Sequence, residues 1–210
     1  MSDPRKTVVA QGYDKLGDEY LARASGFVDD ARNRMLNEFS ARLAPGARVL
    51  DLGCGPGLPS TKALASRFDV TGVELSGVQL DAARRNEPEA SFLHGDFAEI
   101  DFPPGSFEGV TAFYSVSHVP RDEHGPLFDR IGRWLVPGGL FLAVLGSGDD
   151  PGWSGQWLGV PMFFSSRDAE ANRRLLAAAN FELLVDEIID TPEPEGPVPF
   201  LWVLARRRSR

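Results

Sequence analysis

The chain is poor in cysteine, histidine and positive charge, and it has no long apolar run. Its one cysteine, Cys54, cannot form a disulfide within the chain and points to a reducing compartment. That residue and three histidines, at 94, 118 and 124, leave no ligand cluster of zinc type, so no metal is expected. Lys and Arg number 22 against 30 Asp and Glu, for a net charge of −8. Such a surface repels phosphate backbones and anionic lipid, so neither nucleic acid nor membrane is an expected partner. No stretch of about 18 apolar residues occurs, and the opening MSDPRKTVVAQGYDK has no apolar core of signal-peptide length. With 42% hydrophobic and 25% charged residues, the 210-residue chain reads as a soluble cytoplasmic protein large enough for one proper core. Nothing in the pattern fixes its oligomeric state.

What is present is periodicity. Val9, Tyr13, Leu16 and Tyr20 share one helical face, and Val28, Ala31, Met35, Phe39 and Leu43 form another, stopped by Pro45-Gly46. Strands and helices then alternate. Strands are expected at 47–52, 69–75, 91–94, 107–115 and 140–145. Helices are expected at 58–66, at 77–85 behind an N-cap at Ser76, and at 167–180. Another is marked by Leu127, Ile131, Trp134 and Leu135 and ended by Pro137-Gly138-Gly139. Two closing strands, 181–189 and 199–205, are separated only by TPEPEGPVP. That is too short for a helical crossover, so at least one of them runs antiparallel. The expected fold is α/β: a seven-stranded, mostly parallel sheet with one antiparallel strand in the C-terminal hairpin, helices on both faces, and a helical N-terminal cap.

The stretch VLDLGCGPG places Gly53, Gly55 and Gly57 within five positions, directly after an apolar strand. Glycine lets the backbone turn tightly and lets a ligand approach with no Cβ in the way. The helix behind it offers free N–H groups and the positive end of its dipole. A plain turn would need one glycine rather than three. A dinucleotide fingerprint would need a third glycine where Leu58 stands. Glu74 lies 19 residues beyond Gly55, at the end of the second strand. A carboxylate there can accept both hydroxyls of a ribose, so a nucleoside is expected and a pyrophosphate is not required.

VLDLGCGPG closely resembles the first motif of the class I S-adenosylmethionine-dependent methyltransferases, in particular the small-molecule type. VTGVELSG resembles the second motif, and FLHGDFAEIDFPPGSFEGV, YSVSHVP and WLVPGGLFLAVL resemble the stretches that follow, covering roughly residues 7 to 205 in order. Glu108-Gly109 and Phe97 depart from the commoner residues of that pattern. The resemblance implies a Rossmann-like fold in one domain, 1–210, with a helical cap at 1–45 and the core at 46–206. It implies S-adenosylmethionine as cofactor, released as S-adenosylhomocysteine. In that reading Asp51 orients the loop and helps hold the methionine amino group, while Gly53, Cys54, Gly55 and Gly57 bring the backbone against the methionine part. Glu74 holds the ribose, Leu75 and Phe97 lie by the adenine, and Asp96 accepts from its amino group. Ser115 sits under the methionine part, and Tyr13 reaches the cofactor from the N-terminal helix.

A sulfonium methyl is already activated. The protein must align a nucleophile, exclude water and, for some acceptors, remove a proton. His118, a few residues beyond the fourth strand, is the candidate base; its plainer role is to pack or close the cofactor pocket. His124, in DEHGP, reads as solvated, His94 as structural, and Tyr20 as core. The stretch DDPGWSGQWLGVPMFFSS reads as irregular chain too apolar to lie in water. It either forms a satellite core or walls an acceptor pocket, with Trp153, Trp157 and Phe163 as the candidate contacts. The basic tail 206–210 reads as a frayed end. The resulting expectation is methyl transfer to an apolar or aromatic small molecule. The alternative is a protein that senses the cofactor or uses it for a different transfer or cyclisation. A nicotinamide dehydrogenase is disfavoured by Leu58 and by the closing hairpin, and an RNA methylase by the charge.

Overall fold

The computed structural model describes residues 3–26, 30–192 and 196–209; Val28, residues 193–195 of the closing loop and Arg210 lie outside the described residues. The strands are β1 (Arg48–Leu52), β2 (Asp69–Glu74), β3 (Ser91–His94), β4 (Phe107–Phe113), β5 (Leu135–Gly146), β6 (Asp150–Trp157), β7 (Val160–Ser166), β8 (Phe181–Thr191) and β9 (Val198–Arg207). The helices are α1 (Pro4–Gly26), α2 (Asp30–Ala41), α3 (Ser60–Ala65), α4 (Gly77–Asn86), α5 (His124–Trp134) and α6 (Ala169–Ala178), with a 3₁₀ turn at Ser115–His118.

Seven strands form one sheet in the order β3-β2-β1-β4-β5-β9-β8. β9 runs antiparallel to both neighbours, and the pairings among β1 to β5 are parallel. The sheet is therefore the expected one. Its central strands are covered on both faces, which requires apolar residues at successive positions rather than at alternate ones. Phe141, Ala143 and Leu145 of β5 join Phe128, Ile131 and Trp134 of α5 on one face. Leu140, Leu142 and Val144 meet Met35, Leu36 and Phe39 of α2 on the other. The order reverses direction between β1 and β4, and the loops at their carboxyl ends border the crevice where ligands of such sheets bind.

Three local expectations change. Pro137-Gly138-Gly139 does not separate a helix from a later strand. β5 begins at Leu135, which pairs with Phe107, and these residues make an irregular register before Gly109 meets Leu140. The stretch after β5 is not irregular chain but an antiparallel hairpin, β6–β7, pairing Trp153 with Phe164 and Trp157 with Val160. Its alternation was masked by glycines and by aromatic residues on both faces. Finally, α1 is broken at Gly17 (φ 45°, ψ −122°), a conformation open to glycine alone.

Helix α1 lies against the carboxyl end of the sheet because polar groups of α4 hold it. Ser76 caps α4 by accepting from the Gln79 N–H at 3.1 Å, and its hydroxyl donates to Asp14 of α1 at 2.6 Å. The Gln79 amide donates to the carbonyls of Tyr13 and Gly17, the two sides of the break. Val9 and Leu16 of α1 then bury against Met162 and Phe163 of β7.

Candidate active site

Two joined compartments open where these elements meet. The smaller, about 80 Å³, is bordered by Gly53, Gly55, Glu74, Leu75, Asp96 and Phe97 from the sheet side and by Lys6, Val9 and Tyr13 from α1. The larger, about 480 Å³, is walled by Tyr20, Tyr114, Trp153, Trp157, Phe164 and Phe200, with Arg23, Arg32 and Gln156 among the polar groups. Tyr13, Tyr20, Gly53, Gly55, Phe113, Tyr114 and His118 border both.

The three loop glycines are there for two reasons. All have positive φ, at 70°, 54° and 79°. A Cβ on Gly53 would fall 2.4 Å from that of Ser115, and one on Gly57 would crowd Ala83 of α4 at 3.3 Å. These two are needed by the fold. A Cβ on Gly55 would meet nothing closer than the Tyr20 ring at 3.6 Å. Gly53 also borders the cavity, but of the three only Gly55 would direct a Cβ into open space, so its missing side chain leaves room for a ligand.

Asp51 is buried, and its two oxygens accept from the hydroxyls of Thr61 (2.6 Å) and Thr111 (2.8 Å). It ties the loop to α3 and β4, and burial pushes its pKa up against those hydrogen bonds. Glu74 accepts from the N–H groups of Gly55 (2.9 Å) and Ser76 (2.8 Å). Burial raises its pKa too, and its oxygens keep lone pairs beyond those two bonds. Asp96 accepts from the Ala98 N–H at 2.8 Å and lies 2.7 Å from the buried Lys6 ammonium, which also binds Glu123. Ser115 donates to the Leu52 carbonyl at 2.7 Å and so fastens the end of β4 to β1. Cys54 is buried, and desolvation lifts its thiol well above the ordinary range, which makes it a packing residue rather than a nucleophile.

His118 has both ring nitrogens engaged. Nδ1 lies 2.9 Å from the Phe163 carbonyl and Nε2 lies 2.8 Å from the Tyr13 hydroxyl. Burial lowers its pKa to about 4, so the ring is neutral. Among the expected acceptor contacts, Trp153 and Trp157 border the larger compartment. Phe163 does not; it is 3% exposed, buried with Met162 and carrying the Arg5 guanidinium over its ring. Strand alternation sends Phe163 inward and its neighbour Phe164 to the cavity. One other expectation is corrected: His124 is buried, donating through Nε2 to the Val119 carbonyl. Tyr20 packs against the Val9, Leu16, Met162 and Phe163 cluster, as expected, and also borders the cavity.

Sequence reasoning missed Lys6, Arg32, Tyr114 and Phe200. Arg32 is buried over the rings of Phe113 and Tyr114, at 5.2 and 5.3 Å. A buried arginine on an otherwise apolar helical face was the available signal. Tyr114 ends β4 in a left-handed conformation, φ 62°. Among the described residues, no group of three or more His, Cys, Asp or Glu could hold a metal ion, and no helix is long and apolar enough to cross a membrane.

Residues 49–139 match the family model of the methyltransferase domain. The chain is 29% identical over 195 residues to a sterol 24-C-methyltransferase of Eremothecium gossypii, covering 83% of this chain and 50% of that protein. It is 38% identical over 122 residues to a trans-aconitate 2-methyltransferase of Paracidovorax citrulli, covering 55% and 45%. The chain thus spans about half the length of these relatives. In fold it is similar to the DhpI–SAH complex, with a TM-score of 0.78, 20% identity and complete coverage of both chains. Over residues 49–139 the chain thus matches the methyltransferase domain, and its strand order and glycine loop are those expected from its resemblance to the class I S-adenosylmethionine-dependent methyltransferases.

Proposed function

We propose that this protein transfers a methyl group from S-adenosylmethionine to a small apolar or aromatic acceptor. The observation that carries the reading is the open face of Gly55, set between a buried carboxylate on one side and an aromatic chamber on the other. When bound, the sulfonium supplies an electrophilic methyl carbon. The chain's own residues have to bind, align and keep out water.

Glu74 has spare lone pairs for the ribose hydroxyls, and its bond to the Gly55 N–H holds carboxylate and loop in one geometry. Leu75 and Phe97 supply apolar contact for the adenine, and Asp96 an acceptor for its amino group. Lys6 now sits on Asp96 and narrows that compartment, so room for the base requires this ion pair to yield. Asp51 places negative charge behind the loop for the amino group of the methionine part. Arg32, whose charge reaches Asp51, supplies positive charge for the carboxylate. The acceptor takes the larger compartment, where Trp153, Trp157 and Phe164 give flat apolar surface at little entropic cost. The aromatic walls favour a ring-bearing or apolar acceptor over the polar acid named for one relative.

Calorimetry with S-adenosylmethionine and S-adenosylhomocysteine tests the binding, and release of S-adenosylhomocysteine against phenols, amines, thiols and carboxylates tests the transfer. A folded Gly55→Val protein should lose at least a hundredfold in affinity, since a branched side chain would fill the approach. Unchanged affinity in that variant would sink the reading.

A further inference from the structure

The larger compartment has an inner end and a mouth. Tyr13 and Tyr20 border both compartments and form the neck between them, where the methyl group has to pass. The reacting atom of an acceptor therefore lies at the neck, and the rest of the molecule points to the mouth. A cavity of about 150 Å³ is enough for one benzene ring. This compartment measures about 480 Å³, and even with the methionine end of the cofactor against Gly53 and Gly55 it leaves space beyond one ring. Its lining is also apolar where water would be expected. Among the described residues six large apolar side chains are well exposed, and three of them, Trp153 (42%), Leu158 (37%) and Val198 (39%), line this one compartment. Single exposed apolar residues need no explanation, but a cluster at one cavity does.

Leu158 sits where the hairpin itself would favour another residue. Trp157 pairs with Val160, so Leu158 and Gly159 alone make the β6–β7 turn, and both have positive φ, at 49° and 79°. A turn of that kind favours Asn, Asp or Gly at its first position, because a larger side chain is strained there. The leucine is thus unfavourable twice, in its backbone and in its exposure, and such strain persists where a site uses it. Trp153 is held in place: a Cβ at Gly155 would run into its ring, so the glycine lets the indole lie on the hairpin. Asp51 is the one carboxylate among the lining residues, and Thr61 and Thr111 hold it behind the loop, so nothing at the mouth calls for a cationic group. We infer that the acceptor is elongated: its reacting end lies at the neck between the aromatic walls, and an apolar tail leaves the chamber between the hairpin turn and β9, over Trp153, Leu158 and Val198. Leu158 is then a specificity residue for that tail, kept at the expense of the turn.

The inference rests on the methyltransferase reading, and the test separates the two. Protein saturated with S-adenosylhomocysteine is titrated with 4-butylphenol and with 4-octylphenol, probes that share one end and differ by four methylenes in the tail. Binding is read from tryptophan fluorescence. A fully buried methylene is worth roughly fourfold, so a tail half-covered at an open mouth should give the wild type a preference of about fifteenfold for the octylphenol. Leu158→Asn and Val198→Ser should each cut that preference below about fivefold. Ile188→Ser, at an exposed apolar site on β8 outside the compartment, should leave it unchanged. Leu158→Asn should also keep or raise Tm, because asparagine suits the turn. A lowered Tm would mean that the leucine serves the hairpin, and overturns the inference. Equal affinity of the two probes in the wild type, unmeasurable binding included, overturns it too, as does a preference that Leu158→Asn leaves unmoved. Conversion of a dimer to a monomer by either rim variant, read by light scattering, would show that a second copy covers the rim, and likewise overturns it. Failure to bind S-adenosylhomocysteine at all overturns the methyltransferase reading, and this inference with it.

Discussion

The two compartments are built by different means. The smaller one is covered by α1, but its floor is made by ends of parallel strands and the turns between them: Gly53 and Gly55 after β1, Glu74 closing β2, Asp96 after β3. Each position is set by sheet order and by backbone hydrogen bonds within a few residues. The larger one shares the glycine loop as one wall, but its other walls come from α1, α2, the β6–β7 hairpin and residues of β4 and β9, which are remote in sequence. The first kind of site tolerates little change of shape. The second kind is side chain against side chain and can be rebuilt around another acceptor while the first stays fixed.

The largest effect should come from testing that rigidity. Gly53→Val puts a branched side chain at φ 70° and a Cβ within 2.4 Å of Ser115. The cost is about 3 kcal/mol or more, and thermal unfolding should show a large loss of Tm or no folded protein. A stable variant would mean the loop is more pliable than the comparison requires. Next comes Glu74→Ala, which removes a charged acceptor. Hydrogen bonds to a charged group are worth about 1.5–3 kcal/mol, so affinity for S-adenosylhomocysteine should fall roughly ten- to a hundredfold. A loss below about threefold places the ribose elsewhere.

Trp157→Ala sharpens the contrast from the other side. Trp157 packs edge-on against Tyr13 and Phe164, at 6.0 and 5.7 Å. Its removal should lower kcat/KM for the acceptor by about tenfold. S-adenosylhomocysteine affinity should stay within about threefold, and loss of both together would show that the compartments are not separable. The smallest effect is in pH. The folded-state pKa of His118 is about 4, against 6.5 for the free side chain. Below 6.5 the unfolded chain binds a proton that the folded one refuses, so stability is full above 6.5 and is lost as pH falls toward 4. Between pH 7 and 5.5 the loss is about 1 kcal/mol, and His118→Gln should remove that share. A variant with the wild-type slope would mean the ring is charged in the fold.

The same contrast decides what could be read without coordinates. The strands, their mostly parallel sense and the closing hairpin follow from apolar runs and glycine punctuation, which are local signals; Glu74 follows from its spacing to Gly55, and Asp51 and Asp96 from the resemblance. The sequence could not say that Gly53 and Gly57 serve packing while Gly55 serves a ligand, since that depends on Ser115 and Ala83 arriving from elsewhere. Nor could it choose between Phe163 and Phe164, because the hairpin register decides which one faces inward. His118 was singled out for its chemistry, but its partners Tyr13 and Phe163 come from two other elements.

The break at Gly17 bears on all of this. Tyr13 and Tyr20 stand seven residues apart, about 10.5 Å along a straight helix. Their ring centroids are 4.8 Å apart, edge to face. The reversed torsions of that one residue, which no side chain but hydrogen adopts comfortably, fall between them. Gly17 touches no ligand, yet it works as the spacer that sets how far apart the two phenols stand, and changing it would retune the neck of the cavity from a distance.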